Sequence, residues 1–519
     1  HSAQKYAGLG VPTPGTDTPH SRFPARGNWS PPVLADLEGN GKLDIVMTAF
    51  DGRVYAWRPD GTPVPGWPVE IKPTAAAMAK AGADPAKLSR DPKLMYSVGI
   101  GDVLGTGKPQ VFVGGFDCAD DKDTTFVYGL QPDGNNHPGG AYLPGWPVNL
   151  KSLVGCYAAS IDFVEEGTSP PVVMPVDGKP RVVVSSVGNS PTVLDGDGSK
   201  YRLLSAACTG IACAANPPYF PGDSITAGVT GQGGAGDLNG TGSPNFVQSV
   251  VGAMSTQGAV GGKTAGEAAL GQSYEKAWDM ATGSVLTGFP QRQDGFSFFD
   301  APLIADLNDD PAHPNARAAI EANDSSWIHA YESDGSESPG FPKYTGQWPS
   351  FSGVVGDAKD DGTVRLAFGT REGDLFEWDT QGSAAANGEW WHFHHDERNT
   401  GQYGLDTRRP AVVGPITAKR KGSKLTLSFA APGDDGVSGT AKAYEVRTSR
   451  VPISVSHFAK AKQVTAPAPV AGGARQKITL TSTKTVWVGI RSTDEAGNVS
   501  ALTVVKVKAA PKPKRKHKS

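Results

Sequence analysis

The chain has 519 residues, more than a single ordinary domain needs and enough to bury a large core without disulfide or metal staples. It contains 66 Gly and 42 Pro, and it has no run of about 18 apolar residues, which excludes a helical membrane span. Residues 1–410 carry 29 Lys and Arg against 47 Asp and Glu, whereas residues 411–519 carry 20 against 5. This split indicates an acidic, cation-binding body joined to a basic module, or two modules of different ancestry with no function in the difference.

The Gly and Pro content and the short apolar runs predict many short strands joined by tight turns, and therefore an all-β protein. Residues Ala75 to Leu88 form the one segment that predicts a short helix, between two repeats. Residues 1–29 are interpreted as a lead-in segment. No signal peptide is visible at His1, so we expect the mature form of an exported protein or a piece of a longer chain.

An internal repeat fills residues 30–405. Its clearest copy, Ser30 to Lys72, runs as strand PPVLAD, polar loop LEGNGKLD, strand IVMTAF, a DG turn, strand RVYAW and the closing stretch PGWPVEI. The leading acidic residues of the six copies lie 51 to 75 residues apart: Asp36, Asp102, Asp177, Asp237, Asp306 and Asp357. This spacing suits a four-stranded blade and not a solenoid coil. We therefore predict a six-bladed β-propeller, or a seven-bladed one if residues 1–29 and an eroded stretch make another blade.

Four copies close with an aromatic residue followed by proline, at Trp67-Pro68, Trp146-Pro147, Phe289-Pro290 and Phe341-Pro342. An aromatic side chain that recurs at one repeat position predicts packing between blades. The alternative is a row of equivalent ligand pockets, as a lectin would have.

The polar loop of the first copy predicts a calcium site. Oxygen-bearing side chains stand at its first, third, fifth and ninth positions, and the seventh residue offers its backbone carbonyl: Asp36, Glu38, Asn40, Asp44 and Lys42. Gly41 stands sixth, where the chain must turn sharply. Calcium binds six to eight hard oxygen ligands, which such a loop can supply. The absence of Glu at the twelfth position and the flanking strands argue against an EF-hand.

The other copies keep this pattern to different degrees. The fourth predicts a second site and the fifth a third, which PAHPNAR interrupts; their candidate ligands are Asp237, Asn239, Thr241 and Asn245, and Asp306, Asn308 and Asp310. The second and sixth loops are weaker candidates, because Leu104 breaks the ligand series in one and the Lys359 ammonium would repel a cation in the other. The third copy retains only VDGKP. The alternative for every loop is an Asx-rich turn that holds no metal.

These copies resemble the FG-GAP/VCBS repeats of integrin-α-like β-propellers over roughly residues 28–405. The resemblance implies calcium in the loops that connect strands, where the metal mostly stiffens the loop while partners bind a propeller face. It places ligands on Asp36, Glu38, Asn40, the Lys42 carbonyl and Asp44.

Four cysteines are present, and Cys208 and Cys213 stand five apart in CTGIAC, a spacing that suits a local disulfide. Cys118 and Cys156 would form the other pair. An even count in an apparently exported chain favours disulfides, and the alternative is four free, buried thiols. No CxxC or CxxH spacing occurs, so we expect no zinc site.

The repeats end in WWHFHHDERNTGQY, residues 390–403, which we interpret as an aromatic closing strand with an ordered turn, against a metal cluster of its three histidines and Asp396. WxxFxxDxxxTG also resembles the ending of many secreted bacterial FG-GAP proteins. Residues 409–508 read as strands, and PGDDGVSGTAKAYEVRTS and DEAGNVS resemble bacterial fibronectin type III modules. That resemblance implies a seven-stranded β-sandwich acting as a spacer or weak binder. Asp434, Asp435 and Asp494 are interpreted as turn residues, and the basic tail 509–519 as disordered.

The sequence favours a non-enzymatic protein. It contains no GxSxG, HExxH, phosphate-binding loop or dehydrogenase-type GxGxxG. We expect a monomeric, secreted or cell-surface calcium-binding repeat protein that binds or adheres to an extracellular protein or glycan, or serves as the accessory region of an exported hydrolase, with no role in binding nucleic acid. The alternatives are a calcium-dependent polysaccharide lyase with its site in the central funnel, which would need a base and a cationic neutraliser there, and a lectin.

Overall fold

The computed structural model describes residues 28, 30–84, 96–115, 124–151, 168–186, 189–205, 228–252, 272–295, 297, 300–308, 316–349, 352–359, 361–384 and 389–509. The chain divides into two compact units. The first comprises His1–Val355, Leu366–Asp379 and Gly388–Leu405. The second comprises Gly356–Arg365, Thr380–Asn387 and Asp406–Ser519.

The fold is an all-β propeller, and the described residues hold six blade sheets, five of four antiparallel strands and one of three. Blade one contains β1 (Val33–Ala35), β2 (Asp44–Thr48), β3 (Arg53–Trp57) and β4 (Val69–Glu70). Blade two contains β5 (Gly99–Gly101), β6 (Gln110–Gly114), β7 (Phe126–Leu130) and β8 (Val148–Asn149), with a 3₁₀ turn at Gly134–Asn136. Blade three contains β9 (Val172–Val176), β10 (Lys179–Val184), β11 (Thr192–Leu194) and β12 (Lys200–Leu203).

The remaining blades keep the same strand order. Blade four contains β13 (Gly228–Gly236), β14 (Asn245–Gly252), β15 (Gln272–Asp279) and β16 (Gln291–Asp294). Blade five contains β17 (Leu303–Ala305), β18 (Ala318–Ala322), β19 (Trp327–Tyr331) and β20 (Lys343–Tyr344). The described part of blade six contains β21 (Val354–Gly356), β22 (Thr363–Gly369) and β23 (Leu375–Ser383).

The core lies between neighbouring blades. Alternating residues of β2 and β3 are buried, and blade-one side chains such as Val46 and Val54 pack in one cluster with Val111 and Val113 of blade two. A second cluster joins blades three, four and five and includes the fully buried Trp390. Because successive side chains of a strand point to opposite faces of the sheet, one blade can contribute side chains to two such clusters.

The short helix α1 (Ala75–Ala81) follows blade one. Its cap residue Thr74 accepts a hydrogen bond from the Ala77 N–H, and Gly82 ends it in a left-handed conformation. Helices commonly end at a glycine of this kind. The helix therefore ends at Ala81, short of the predicted extent, and the predicted residues from 85 to Leu88 lie outside the described residues.

The aromatic closures hold adjacent blades together. Trp146 is buried, its ring centroid lies 5.2 Å from that of Phe112, and its indole N–H donates to the carbonyl of Gly196 in blade three at 3.0 Å. The same contact joins Trp67 to the Pro132 carbonyl of blade two. Gly145 has φ +83°, and a Cβ there would lie 1.9 Å from the Asp197 carbonyl oxygen, so this approach requires glycine. The packing interpretation is confirmed for both tryptophans.

The Trp146 contact gives a first prediction. Trp146→Phe should lower the free energy of unfolding by about 1 kcal/mol or slightly more, because it removes a buried hydrogen bond while keeping most of the ring. Denaturant unfolding of the whole chain measures this. Trp390→Phe is the comparison, since the buried indole N–H of Trp390 has no acceptor among the described residues. A loss at Trp146 no larger than at Trp390 would contradict the prediction.

The second unit includes a sandwich of seven strands in two sheets, ordered β24-β25-β28 and β27-β26-β29-β30. The strands are β24 (Thr417–Lys421), β25 (Lys424–Ala430), β26 (Ala443–Ser449), β27 (Lys462–Val464), β28 (Arg475–Thr481), β29 (Val486–Thr493) and β30 (Thr503–Val507), with the short helix α2 (Val455–Phe458). Leu425, Leu427, Val446, Val488 and Ile490 form the centre of its core. The alternating burial of β25 and β28 matches a sheet with one solvated face.

Candidate functional site: the loops between the first and second strands

Four loops that join the first and second strands of a blade share one local geometry. We number their nine residues from the leading aspartate and name them loop one (36–44), loop two (102–110), loop four (237–245) and loop six (357–365). In each, the first carboxylate accepts the backbone N–H groups of the fifth and sixth residues, at 2.6 to 3.0 Å. The sixth residue is always a glycine with positive φ: Gly41, Gly107, Gly242 and Gly362. The chain therefore curls around its first carboxylate, as the spacing predicted.

Loop one gathers most of its predicted ligands. Asp44 accepts the Leu37 N–H through Oδ2 at 3.1 Å, whereas its Oδ1 is buried and has no hydrogen-bond partner among the described residues. Burial raises the pKa of Asp44, and the negative charges of Glu38 and Asp36 raise it further. An ionised carboxylate oxygen left without a donor in the interior is costly, and a cation would remove that cost.

Glu38 contacts Arg58 and, within loop one, the Asn40 side chain, whose Nδ2 donates to Glu38 Oε2 at 3.2 Å. The two Glu38 oxygens accept hydrogen bonds from the Arg58 guanidinium at 2.6 and 2.8 Å, and these bonds hold the pKa of Glu38 below its usual value. Asn40 stays inside the loop, where its Oδ1 accepts the Lys42 N–H at 2.9 Å. In the part of the chain that the structure describes, no three His, Cys, Asp or Glu side chains converge as a ready-made metal cluster. Loop one is consistent with this finding, because Arg58 holds Glu38 and the remaining candidate ligands include only two carboxylates, together with an amide and a backbone carbonyl.

Loop two has a side-chain nitrogen at its centre. Gln110, the ninth residue, accepts the N–H of Val103 through Oε1 at 2.8 Å. Its Nε2 lies 3.4 Å from Asp102 Oδ1, 3.1 Å from Thr106 Oγ1 and 2.7 Å from the Lys108 carbonyl. These oxygens belong to the first, fifth and seventh residues. Burial opposes ionisation of Asp102, but its hydrogen bonds outweigh burial and lower its pKa.

Loop six has a guanidinium at the same place. The Nη1 atom of Arg365, again the ninth residue, lies 3.5 Å from Asp357 Oδ1, 3.0 Å from Asp361 Oδ1 and 2.9 Å from the Thr363 carbonyl. Nη2 donates to the other oxygen of Asp361 at 2.6 Å. The hydrogen bonds from Arg365 hold the pKa of Asp361 far below its usual value. The first, fifth and seventh oxygens are thus satisfied from within the chain.

Loop four retains its predicted oxygen groups. Asn239 Oδ1 accepts the Thr241 hydroxyl at 2.8 Å, and Asn245 Oδ1 accepts the Leu238 N–H at 3.0 Å. The carbonyl of Asp237 lies 3.5 Å from the Nη1 atom of Arg317 in blade five. The loop closes as loop one does, with an amide in place of the carboxylate at its ninth position.

The fifth blade differs from this arrangement. Asp306 Oδ1 accepts the N–H of Asn308 at 3.2 Å, and the Asn308 amide donates to Glu332 at 2.9 Å. Asp310 lies outside the described residues, so the structure brings together two of the three predicted ligands and directs one of them towards Glu332. In blade three, a short turn carries Asp177, which pairs with Tyr201 and Arg202. Cys118, Cys156, Cys208 and Cys213 also lie outside the described residues.

Residues 390–403 contain the ordered turn that the sequence predicts, but the prediction of a closing strand is wrong, because they form isolated bridges instead. The first strands of neighbouring blades contact one another, β5 with β9 and β13 with β9 and β17, so they surround the axis. Residues 389–403, here called the axial segment, bond to five of these strands instead of joining one sheet. The backbone hydrogen bonds join Trp390 to Ile304, Trp391 to Val355, Arg398 to Leu34, Thr400 to Ile100, and Gly401 and Tyr403 to Val173.

The histidines of the axial segment are structural in this arrangement. His394 is fully buried and its Nδ1–H donates to the Asn399 carbonyl, 2.8 Å away, and burial lowers its pKa to about 4. Asp396 accepts the Thr400 hydroxyl at 2.8 Å and lies 3.0 Å from His395 Nδ1. Burial opposes its ionisation, but these contacts outweigh burial and lower the pKa of Asp396. Asp396 and Thr400 of WxxFxxDxxxTG therefore fix a turn within the axis.

A second carboxylate group, which the sequence analysis had assigned to turns, lies in the second unit. Asp434, Asp435, Asp494, Glu495 and Asp406 lie close enough to affect one another, with Arg408 as their cationic neighbour. One oxygen each of Asp434, Asp435 and Asp494 is buried without a hydrogen-bond donor among the described residues. Burial first, and then the neighbouring charges, raises the pKa of Asp434 to about 7 and that of Asp435 to about 6. This cluster holds four of the five acidic residues of 411–519.

Comparisons with known proteins find only weak likenesses to solved structures. No family model matches the chain, and no curated protein matches it. Among solved structures, BBS1N in complex with ARL6DN is 12% identical over 78% of this chain and 90% of that chain, with a TM-score of 0.35. BamB from Moraxella catarrhalis is 12% identical over 68% and 85%, with a TM-score of 0.31, and the V. cholerae biofilm matrix protein Bap1 is 11% identical over 91% and 61%, with a TM-score of 0.26. At these TM-scores the likeness carries no argument about activity. No helix in the described ranges is long and apolar enough to cross a membrane.

Proposed function

We propose that the chain is a secreted or cell-surface calcium-binding propeller that binds an extracellular protein or glycan, alone or as the accessory region of an exported hydrolase. The observation that carries the calcium proposal is the buried Asp44 Oδ1, which has no hydrogen-bond donor among the described residues. The equivalent loops two and six each enclose a donor nitrogen at their centre. Calcium is the hard cation that a set of carboxylate, amide and carbonyl oxygens suits.

The residues that would hold the ion in loop one are Asp36, Asn40, Asp44 and the carbonyl of Lys42. Glu38, predicted as a ligand, is held by Arg58 and contributes its charge to the loop. Calcium supplies positive charge and coordination there, and the chain's residues tie the end of β1 to the start of β2. Loop four, and Asp306 with Asp310 in blade five, are proposed as weaker sites because an amide replaces the ninth carboxylate in one and Asn308 faces Glu332 in the other.

The filled axis supports binding over catalysis. A lyase site in the central funnel needs a base and a cationic neutraliser that converge in open space, whereas the axial segment occupies that region with the buried Trp390, His394 and Asp396. The burial of Trp67, Trp146 and Phe289 likewise removes three of the four aromatic closures from any row of sugar pockets. Partner binding is therefore proposed for an exposed face of the propeller and not for its axis.

Calcium should raise the stability of the propeller. A ligand that binds only the folded state adds about 2.7 kcal/mol when its free concentration is a hundredfold above Kd. We expect a chelator to lower the melting temperature of the propeller and to leave the unfolding of residues 409–508 unchanged. Differential scanning calorimetry of the full chain, with calcium and with chelator, measures this.

Asp44→Asn is the variant that tests the site, and Asp60→Asn is the matched control. Asp60 lies in a turn of the same blade, where its carboxylate accepts bonds from Thr62, and it undergoes the same change of charge. We expect calcium to protect the control as it protects the wild type, and Asp44→Asn to lose most of that protection. Identical melting of the wild type with and without chelator would refute the proposed calcium site.

A further inference from the structure

We infer that the ninth residue of each loop decides whether the loop binds a metal ion or carries its own replacement for one. The inference rests on the calcium site proposed for loop one and extends it to a rule for the four loops that share its geometry. A carboxylate at the ninth position leaves its loop with a deficit of one positive charge. A side-chain nitrogen at that position instead fills the centre of the loop. According to this rule, loops two and six bind no metal ion, because the side-chain nitrogens of Gln110 and Arg365 occupy their centres.

The geometry of the two filled loops carries the inference. In each, a single nitrogen of the ninth residue lies 2.7 to 3.5 Å from the same three oxygens: the first side chain, the fifth side chain and the seventh carbonyl. These are also three of the ligand positions expected in loop one. Calcium–oxygen distances are about 2.3–2.6 Å, so an ion could not enter beside that nitrogen without displacing it.

The charges of the loops follow the same rule. Loop six has carboxylates at positions one, four and five and a lysine at position three. The Arg365 guanidinium neutralises part of the charge of positions one and five in place. Loop two has the single carboxylate Asp102 and a neutral amide. Loop one has carboxylates at positions one and nine and no cation inside, since Arg58 is engaged by Glu38. Loop one is thus the described loop in which both the charge and the hydrogen-bond donors are deficient.

Loop four is the intermediate case. The amide of Asn245 uses its oxygen for the Leu238 N–H, so its other branch is a nitrogen and cannot coordinate a cation. The rule therefore places loop four well below loop one in calcium affinity, and Asn245→Asp should raise that affinity at least tenfold.

Exchange of the ninth residues between loops tests the inference. We expect Gln110→Asp to add one calcium site to the full-length protein and Asp44→Gln to remove one, as counted by isothermal titration calorimetry with calcium chloride. Gln110→Leu removes the nitrogen without adding a carboxylate and should gain no site. Arg365→Asp, with Arg365→Gln as its control, repeats the exchange in loop six and guards against failure of a single variant to fold.

The outcomes separate the inference from the proposed function. An unchanged stoichiometry for both Gln110→Asp and Arg365→Asp, in variants that retain the circular dichroism spectrum and cooperative melting of the wild type, would overturn the inference. A gain of a site in Gln110→Leu would overturn the requirement for a ninth-position carboxylate, because removal of the nitrogen alone would then be enough for the loop to bind an ion. A wild type that binds no calcium would refute both the proposed site and the rule, because Asp44 is itself a ninth-position carboxylate. A wild type that binds calcium and loses it in Asp44→Asn, while Gln110→Asp and Arg365→Asp gain no site, would overturn the inference and leave the proposed function standing.

Discussion

Replacing Trp390 by alanine is expected to lower the free energy of unfolding of the propeller by about 3–5 kcal/mol, the range for a large aromatic side chain lost from a core. Trp390 is fully buried, and both its backbone N–H and its carbonyl bond to Ile304 of β17 at 2.9 Å. Its ring contacts the His395 ring at a centroid distance of 5.0 Å, and a Cβ on Gly234 of blade four would lie 3.3 Å from it. Trp390 therefore joins the axial segment to blade five through its backbone and to blade four through its ring.

Trp390→Phe is the matched control for this prediction. It retains an aromatic ring and removes an indole N–H that is buried without an acceptor, so we expect a loss of about 1 kcal/mol or less. Denaturant unfolding at fixed calcium concentration measures both variants. Equal, small losses for Ala and Phe would show that the axial segment contributes little to the propeller, and the argument against an open funnel would fail with it.

The blades could be predicted because their signals are local. Alternating apolar residues such as those of RVYAW, DG turns and the aromatic closures recur within each copy, and β3 has the expected alternating burial. The loops could be located for the same reason, since an aspartate, a glycine five residues later and flanking strands specify the turn. The first carboxylate then takes the same two backbone donors in all four loops.

The rest depended on contacts that sequence spacing does not encode. The backbone bond between Arg398 and Leu34 spans most of the propeller sequence, and the strand-like pattern of residues 390–403 gives no sign of it. The ligand role predicted for Glu38 depended equally on a distant residue, because Arg58 lies on the far side of β2 and β3 in sequence. The identity of the ninth residue was visible in the sequence, but its meaning required the positions of the Gln110 and Arg365 nitrogens.

Asp434, Asp435 and Asp494 are a similar case. Each does lie in a turn, as interpreted from PGDDG and DEAGN, and Asp494 accepts the Asn498 N–H at 2.7 Å. Sequence spacing of about 60 residues could not show that the two turns meet and bring Glu495 against Asp434. Residues 411–519 carry 20 Lys and Arg, yet Arg408 is the one cation among the groups that shift the pKa values of Asp406, Asp434 and Asp435.

That cluster should make the second unit less stable as the pH rises. The folded-state pKa values of Asp434, about 7, and Asp435, about 6, lie above the value near 3.9 of an unfolded chain. The folded state therefore binds more protons than the unfolded state between about pH 4 and pH 7, and stability falls with increasing pH through this window. We expect a loss of about 2–4 kcal/mol between pH 4 and pH 8, less than the full shifts imply because Asp434 is only half-buried and water screens it.

The quantity to compare is the difference in the free energy of unfolding between variant and wild type. The wild-type value alone is not sufficient, because the buried pair Glu275 and Glu321 in blades four and five also has raised pKa values and makes the stability of the whole protein fall with increasing pH. Asp435→Asn should be nearly neutral at pH 4.5, where the wild-type carboxyl is protonated, and stabilising by about 1–2 kcal/mol at pH 8. Glu445→Gln undergoes the same charge change in the same unit, but Arg447 and Arg491 bond to that carboxylate and outweigh its burial to lower its pKa, so it should destabilise at pH 8. Urea unfolding at pH 8 should therefore give changes in the free energy of unfolding of opposite sign for the two variants, and these changes should converge as the pH falls. The difference arises because the Asp435 carboxylate has no hydrogen-bonded cationic partner among the described residues, whereas the Glu445 carboxylate has two. If both variants lowered the free energy of unfolding at pH 8, the Asp435 carboxylate would have a partner in the folded protein, and the prediction would be contradicted.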